Sequence, residues 1–189
     1  VPGRHNVLNS LGALVCAVEM GIKTDSILKA LKEFTGAHRR FETKGRVNGV
    51  WVVDDYAHHP TEIGVTLKAA LQTKPQRLIC VFQPHRYTRT QLLFNEFCAC
   101  FKGCDKLIVT DIYAASEDPI EGVNSQKLAE GIKKTSGVDV EYVPSMADIE
   151  NYLAANARTG DLVMTIGAGD VYKVGEALVA DLQRSNENV

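Results

Sequence analysis

From residue 50 onward, short apolar runs alternate with amphipathic segments, and few folds accept that pattern. Residues 50–53, 77–82, 106–110, 138–143 and 162–166 are short, apolar and rich in β-branched side chains, as strands buried on both faces are. Between them helical spacing recurs at 61–72, at 88–101, at 125–135, from a Ser145 cap to about residue 157, and from the turn at 167–170 to about residue 182. The second of these helices aligns Leu93, Phe97, Cys100 and Phe101 on one face. Strand and helix in strict turn predict an α/β fold, with a mostly parallel sheet, helices on both faces and right-handed crossovers. In a chain of 189 residues, folding removes roughly 70% of the unfolded surface from water, so such a core stands without a disulfide or metal staple.

The first 37 residues carry no strand of their own. Val7, Leu11, Leu14, Val15 and Val18 predict a helix over 6–20, with Asn6 as N-cap and Gly21 as C-cap. Ile27, Leu28 and Leu31 predict a second helix over 25–34, capped by Thr24 or Asp25, with Gly36 just beyond it. This pair reads as the helical end of a preceding domain, residues 1–37, with the α/β domain occupying 38–189. The opening Val1-Pro2-Gly3-Arg4-His5 lacks an initiator Met and a signal-peptide pattern, which suggests a piece that begins inside a longer protein. Asn48-Gly49 between the β-prone runs 41–47 and 50–53 predicts a tight hairpin, because both turn residues tolerate positive φ. The polar tail, 184–189, is expected to fray.

Composition excludes several classes. A net charge of −2 gives no general attraction to nucleic acid or to an anionic membrane. No apolar run reaches the ~18 residues of a membrane span. The five cysteines, Cys16, Cys80, Cys98, Cys100 and Cys104, sit mostly in apolar runs and read as reduced core residues of a cytosolic protein. They form no Cys-x-x-Cys pair of the kind that zinc sites use. The sequence also lacks G-x-x-x-x-G-K-[ST], G-x-S-x-G and H-E-x-x-H, so it carries no phosphate loop, serine-hydrolase elbow or zinc-protease helix.

In a parallel sheet all strand-to-helix turns fall on one edge, where ligands bind. Asp54-Asp55-Tyr56-Ala57-His58-His59-Pro60-Thr61-Glu62 places two carboxylates, a tyrosine and two histidines between a strand and a helix. Gln83-Pro84-His85-Arg86-Tyr87-Thr88-Arg89-Thr90 follows the next strand and should bring His85, Arg86 and Arg89 to the same edge. No acidic residue lies between Glu62 and Glu96, while Lys68, Lys74, Arg77, Arg86 and Arg89 do. That excess suggests a carboxylate or phosphate ligand, for which the arginine fork is suited. Asp111 and Glu117 in the next turn would orient Arg86, hold a magnesium-bound ligand through water, or stand as solvated loop charges. Pairing of one arginine with Asp111 or Glu117 across the crevice is the plain structural alternative. Gly167-Ala168-Gly169 matches only the start of a dinucleotide fingerprint, since Tyr172 stands at the third glycine position, and reads best as a tight strand-to-helix turn.

Taken together, Gly3-Arg4-His5-Asn6-Val7-Leu8-Asn9, Arg39-Arg40-Phe41-Glu42 and the turn from Asp54 to Glu62 resemble the Mur ligases, ATP-dependent amide ligases of peptidoglycan synthesis. With Gln83 to Thr90 and Asp111-Ile112-Tyr113 added, the chain is similar to the members that join L-alanine to UDP-N-acetylmuramate. The resemblance covers essentially the whole chain. It implies a Rossmann-like last domain preceded by the end of a central ATP-binding domain, with the phosphate loop, the UDP-sugar domain and most magnesium ligands in N-terminal domains that this chain lacks. It implies ATP contacts from Asn6, Asn9, Arg40, Asp55, His58 and His59, and contacts to the amino acid or muramoyl substrate from His85, Arg86 and Arg89. No residue of this piece is implied as certainly catalytic or as a metal ligand, and the piece alone is expected to be inactive. A muropeptide-recycling ligase of the same family, and a non-catalytic nucleotide-binding α/β module, are the alternative readings.

Overall fold

A computed structural model describes residues 1–187. Two helices lead, α1 (Arg4–Glu19) and α2 (Thr24–Glu33). A hairpin follows, β1 (Glu42–Val47) and β2 (Val50–Asp55), and then α3 (Pro60–Gln72), β3 (Arg77–Phe82), α4 (Tyr87–Leu92), α5 (Phe94–Cys100) and β4 (Lys106–Val109). The chain closes with α6 (Ser125–Ser136), β5 (Asp139–Tyr142), α7 (Met146–Asn156), β6 (Asp161–Ile166) and α8 (Tyr172–Glu187).

The sheet order is β1-β2-β6-β3-β4-β5, with β1 antiparallel and every other pair parallel. Alternating side chains divide the core into two layers. Leu78, Cys80, Phe82, Met164 and Ile166 meet α3, α5 and α6 through Ile63, Leu67, Phe97 and Leu128. Ile79, Val81 and Val163 meet α7 and α8 through Ile149, Leu153, Val174 and Leu178. Helices after β2 and β3 thus cover one face, and the helix after β6, the strand between them, covers the other. A crevice opens at that reversal, at the carboxyl edge of the sheet.

Asn48 and Gly49 take φ of 54° and 76°, the hairpin turn expected of them. Gly21 closes α1 at φ 76°, with the Ile22 N–H on the Ala17 carbonyl. Ser145 caps α7 by accepting from the Asp148 N–H.

Several expectations are corrected. Gly3, not Asn6, precedes α1, and the Asn6 side chain instead donates to the Pro2 carbonyl at 2.7 Å. Lys23 precedes α2, so neither Thr24 nor Asp25 caps it. The helix expected over 88–101 breaks at Leu93, whose φ of −110° and ψ of 24° leave the helical region. Strand β2 continues to Asp55 rather than stopping at Val53, because Asp54 and Asp55 still pair with Thr165 and Ile166 of β6. Cys16 is exposed on α1, so it is not a core residue, whereas Cys80, Cys98 and Cys104 are buried. Helix α8 runs past Leu182 to Glu187, and the rest of the tail expected to fray, 188–189, lies outside the described residues. No helix among the described residues is long and apolar enough to cross a membrane.

Candidate functional site

Strand β2 ends in two buried carboxylates of different character. Asp54 is fully buried and bound by Arg39, with Nε 2.8 Å from Oδ2, and by the Thr165 hydroxyl at 2.7 Å. Asp55 accepts the Phe41 N–H on Oδ2 and the Ala57 N–H on Oδ1, each at 2.8 Å. Burial pushes the Asp55 pKa upward, against the lowering effect of those two N–H groups and of Arg40.

The histidines that follow shape the start of α3. His59 precedes the helix, and its Nδ1 accepts from the Thr61 N–H at 3.3 Å. Glu62 reaches back to the N–H groups of His58 and His59, closing a capping box around Pro60. Burial works to raise the Glu62 pKa, but the His58 N–H and charge, the His59 N–H and Arg40 outweigh it and hold the carboxyl low. His58 Nδ1 lies 3.0 Å from the Tyr56 carbonyl and therefore donates, which leaves Nε2 facing outward from that bond.

The basic turn joins the first one through rings. His58 and His85 lie 5.8 Å apart by ring centroid, and His85 stacks on Tyr113 at 5.6 Å and 14°. Tyr56 meets His58 edge-on at 5.5 Å, so four rings run along the crevice from the β2 turn to the β4 turn. Backbone bonds fix this row, since Arg86 N–H donates to the Tyr113 carbonyl and Tyr113 N–H to the Pro84 carbonyl, both at 2.8 Å. Arg89 Nη1 lies 3.0 Å from His85 Nδ1. Arginine can only donate, so Nδ1 accepts and the ring proton sits on Nε2. Burial lowers the His85 pKa, and Arg89, His58 and Arg86 add to that effect while Glu117 opposes it.

The arginines divide. Arg86, at φ 73°, lies 3.5 Å from Glu117, so the cross-crevice pairing considered from sequence is present for this residue. Glu117 also accepts from the Thr88 N–H and hydroxyl. Asp111 instead takes the Tyr142 hydroxyl at 2.5 Å, which pushes the Tyr142 pKa up to about 12. Arg77 does not belong to the basic edge. It lies at the first residue of β3, the far end of the strand, where it forks onto Asp161 at 3.0 and 2.6 Å.

A cavity of about 1050 Å³ separates the two leading helices from the α/β body. Asn6, Asn9, Arg40, Asp55 and Glu62 all line it. The backbone of Arg40 is tied down, but its guanidinium makes no hydrogen bond or ion pair with another described residue. His58, His59, His85, Arg86 and Arg89 lie outside this lining. A space of this size, with a free guanidinium, an acceptor and two amide side chains, fits a nucleotide with its phosphates and sugar hydroxyls. No group of three or more His, Cys, Asp or Glu among the described residues is placed to hold a metal ion.

Sequence reasoning missed Arg39. Its guanidinium bridges Asp54 and the carbonyls of Gly167 and Gly169, at 2.7 and 2.9 Å, between the rings of Tyr56 and Tyr172. It also passed over Gln83, whose amide oxygen accepts from the Val171 N–H and whose amide nitrogen donates to Asp170. The glycine turn is therefore consumed by protein contacts, as a tight strand-to-helix connection. The adjacency of Arg39 to Arg40 was the only local signal, and it does not say which of the two turns inward.

Comparison with known proteins agrees with this fold. The family profile described as "Mur ligase, glutamate ligase domain" matches residues 39–169. A UDP-N-acetylmuramate–L-alanine ligase of Desulforamulus reducens is 49% identical over 183 residues, covering 97% of this chain and 40% of that protein. The solved UDP-N-acetylmuramate–alanine ligase of Thermotoga maritima matches with a TM-score of 0.82 at 28% identity, over 98% of this chain and 39% of that one. A murein peptide ligase of Psychrobacter arcticus matches at 0.66 and 26%, over 95% of this chain and 37% of its own. The chain thus spans about two-fifths of the length of the curated relatives it matches. It belongs to the Mur ligase family.

Proposed function

We propose that this chain is part of an ATP-dependent ligase that joins L-alanine to the carboxylate of UDP-N-acetylmuramate in peptidoglycan synthesis, in the cytoplasm. The observation that carries the reading is the cavity that gathers Asn6, Asn9, Arg40 and Asp55, next to a crevice lined by His85, Arg86 and Arg89. Residues 1–37 form the end of a nucleotide-binding domain, and 38–189 form the domain that delivers the amino acid.

In this reading ATP supplies the phosphoryl group that activates the muramoyl carboxylate, which the alanine amine then attacks with release of phosphate. Arg40 meets the phosphates, Asp55 the ribose hydroxyls through the lone pairs left by Phe41 and Ala57, and Asn6 and Asn9 the adenine side. His58 and His59 close the interface over the nucleotide. Arg86 and Arg89 hold the amino-acid carboxylate, and neutral His85 offers its Nε2 proton to the same ligand. Fixed cations near the reacting centre stabilise charge as it develops, without reorganisation at that moment. The magnesium ligands lie mainly in the N-terminal domains.

The test is phosphate release by the full-length enzyme with UDP-N-acetylmuramate, ATP and magnesium, offering L-Ala, Gly, L-Ser or a tripeptide. Preference for L-Ala supports the reading. Preference for the tripeptide points to the recycling ligase, and no release with any acceptor points to a non-catalytic module.

A further inference from the structure

We propose that Arg39 is a positioning residue for the nucleotide half of the site, acting through Arg40 rather than by touching the nucleotide. The inference rests on the nucleotide reading of that cavity. Arg39 is buried, at 8% exposure, and makes four guanidinium hydrogen bonds, two to Asp54 and one each to the carbonyls of Gly167 and Gly169. Its guanidinium carbon lies over the Tyr56 and Tyr172 rings, 5.1 and 4.6 Å from their centroids. With four of its five N–H donors engaged within the fold, this side chain serves to hold the backbone around it.

That backbone is the passage from the leading helices into the α/β body. The Arg39 carbonyl accepts from the Tyr56 N–H at 2.7 Å, and its own N–H donates to Glu42 at 2.9 Å. One residue beyond Arg40, the Phe41 N–H is held by Asp55 and its ring is buried edge-on against Trp51 at 5.9 Å. Arg39 and Phe41 both sit at positive φ, 55° and 48°, a conformation that side-chain-bearing residues keep only when their surroundings over-determine it. Arg40 is therefore the single unanchored side chain between two anchored neighbours. Its direction into the cavity follows from the grip on Arg39. Lysine, a point charge with no planar fork, would keep the pair with Asp54 but not the two carbonyls or both rings.

The experiment is a double-mutant cycle in the full-length enzyme, reading KM for ATP and for the amino acid in Arg39→Lys, Arg40→Ala and the combined variant. Each single variant should raise the ATP KM roughly tenfold, the loss of one charge-assisted bond, with the amino-acid KM unchanged. The combined variant should be no worse than Arg40→Ala alone, because Arg39 acts through the group already removed. Multiplied effects would overturn the positioning role while leaving the nucleotide reading intact. An unchanged ATP KM in Arg40→Ala would overturn both. If Arg39→Lys does not fold, Tyr172→Leu, which removes one covering ring, takes its place in the same cycle with the same two outcomes.

Discussion

Asp55 holds the Phe41 N–H on one carboxylate oxygen and the Ala57 N–H on the other, each at 2.8 Å, and so ties the segment before β1 to the carboxyl end of β2. Asparagine at this position offers one acceptor and one donor, so it satisfies only one of those N–H groups. Asp55→Asn should cost roughly 1–3 kcal/mol of stability, measured by urea unfolding. The pH dependence has a definite sign. Burial raises the folded-state pKa, so just above the ordinary aspartate range the folded chain binds more protons than the unfolded one. Stability from this group declines as pH rises through that window, and the asparagine variant should flatten the decline. An unfolding curve that does not change with the substitution would remove Asp55 from this structural role.

His85 titrates in the opposite sense. Burial and then Arg89 lower its folded-state pKa, so below the ordinary histidine range of about 6.5 the unfolded chain binds the proton first. Stability tied to this ring is complete above that range and falls as pH drops toward the lowered value. A histidine NMR titration should find His85 below the ordinary range, and Arg89→Met should raise it. A value that does not move in Arg89→Met would take Arg89 out of the shift and leave it to burial, His58 and Arg86.

Arg77 and Asp161 lock the sheet at the edge away from the site. Asp161 is buried and also accepts the Arg158 N–H, so Arg77→Ala leaves a buried charge short of its counter-ion. The expected loss is about 3 kcal/mol of stability, read by denaturant unfolding. KM for ATP in the full-length enzyme should not change, because the pair lies a whole strand length from the crevice. A shift in that KM would show that the two edges are coupled.

These three cases also show what a linear reading reaches. The sheet, the Asn48-Gly49 hairpin, the Ser145 cap and the convergence of the Asp54 and Gln83 turns on one edge all follow from local pattern and strand direction. The same strand-direction rule, applied to Arg77, would have placed it at the opposite edge and out of the basic cluster. Arg39 was beyond such reasoning. Its partners lie 15 residues away in Asp54 and 128 and 130 residues away in Gly167 and Gly169, and only the insertion of β6 between β2 and β3 brings them together. The break at Leu93 was equally hidden, since both halves of the segment keep helical spacing.

The purified 189-residue chain should fold cooperatively yet release no phosphate from ATP above background, because its sequence has no phosphate loop. Release above background would show that it grips the phosphates by other groups.

In the proposed function two neighbouring half-sites serve two different ligands. Steady-state phosphate-release kinetics of Arg40→Ala and Arg86→Ala in the full-length enzyme test it most directly. The expected result is a crossed pattern, in which Arg40→Ala raises the KM for ATP roughly tenfold and spares that for alanine, while Arg86→Ala does the reverse. Both constants moving together in each variant, or the alanine KM holding steady in Arg86→Ala, would contradict it.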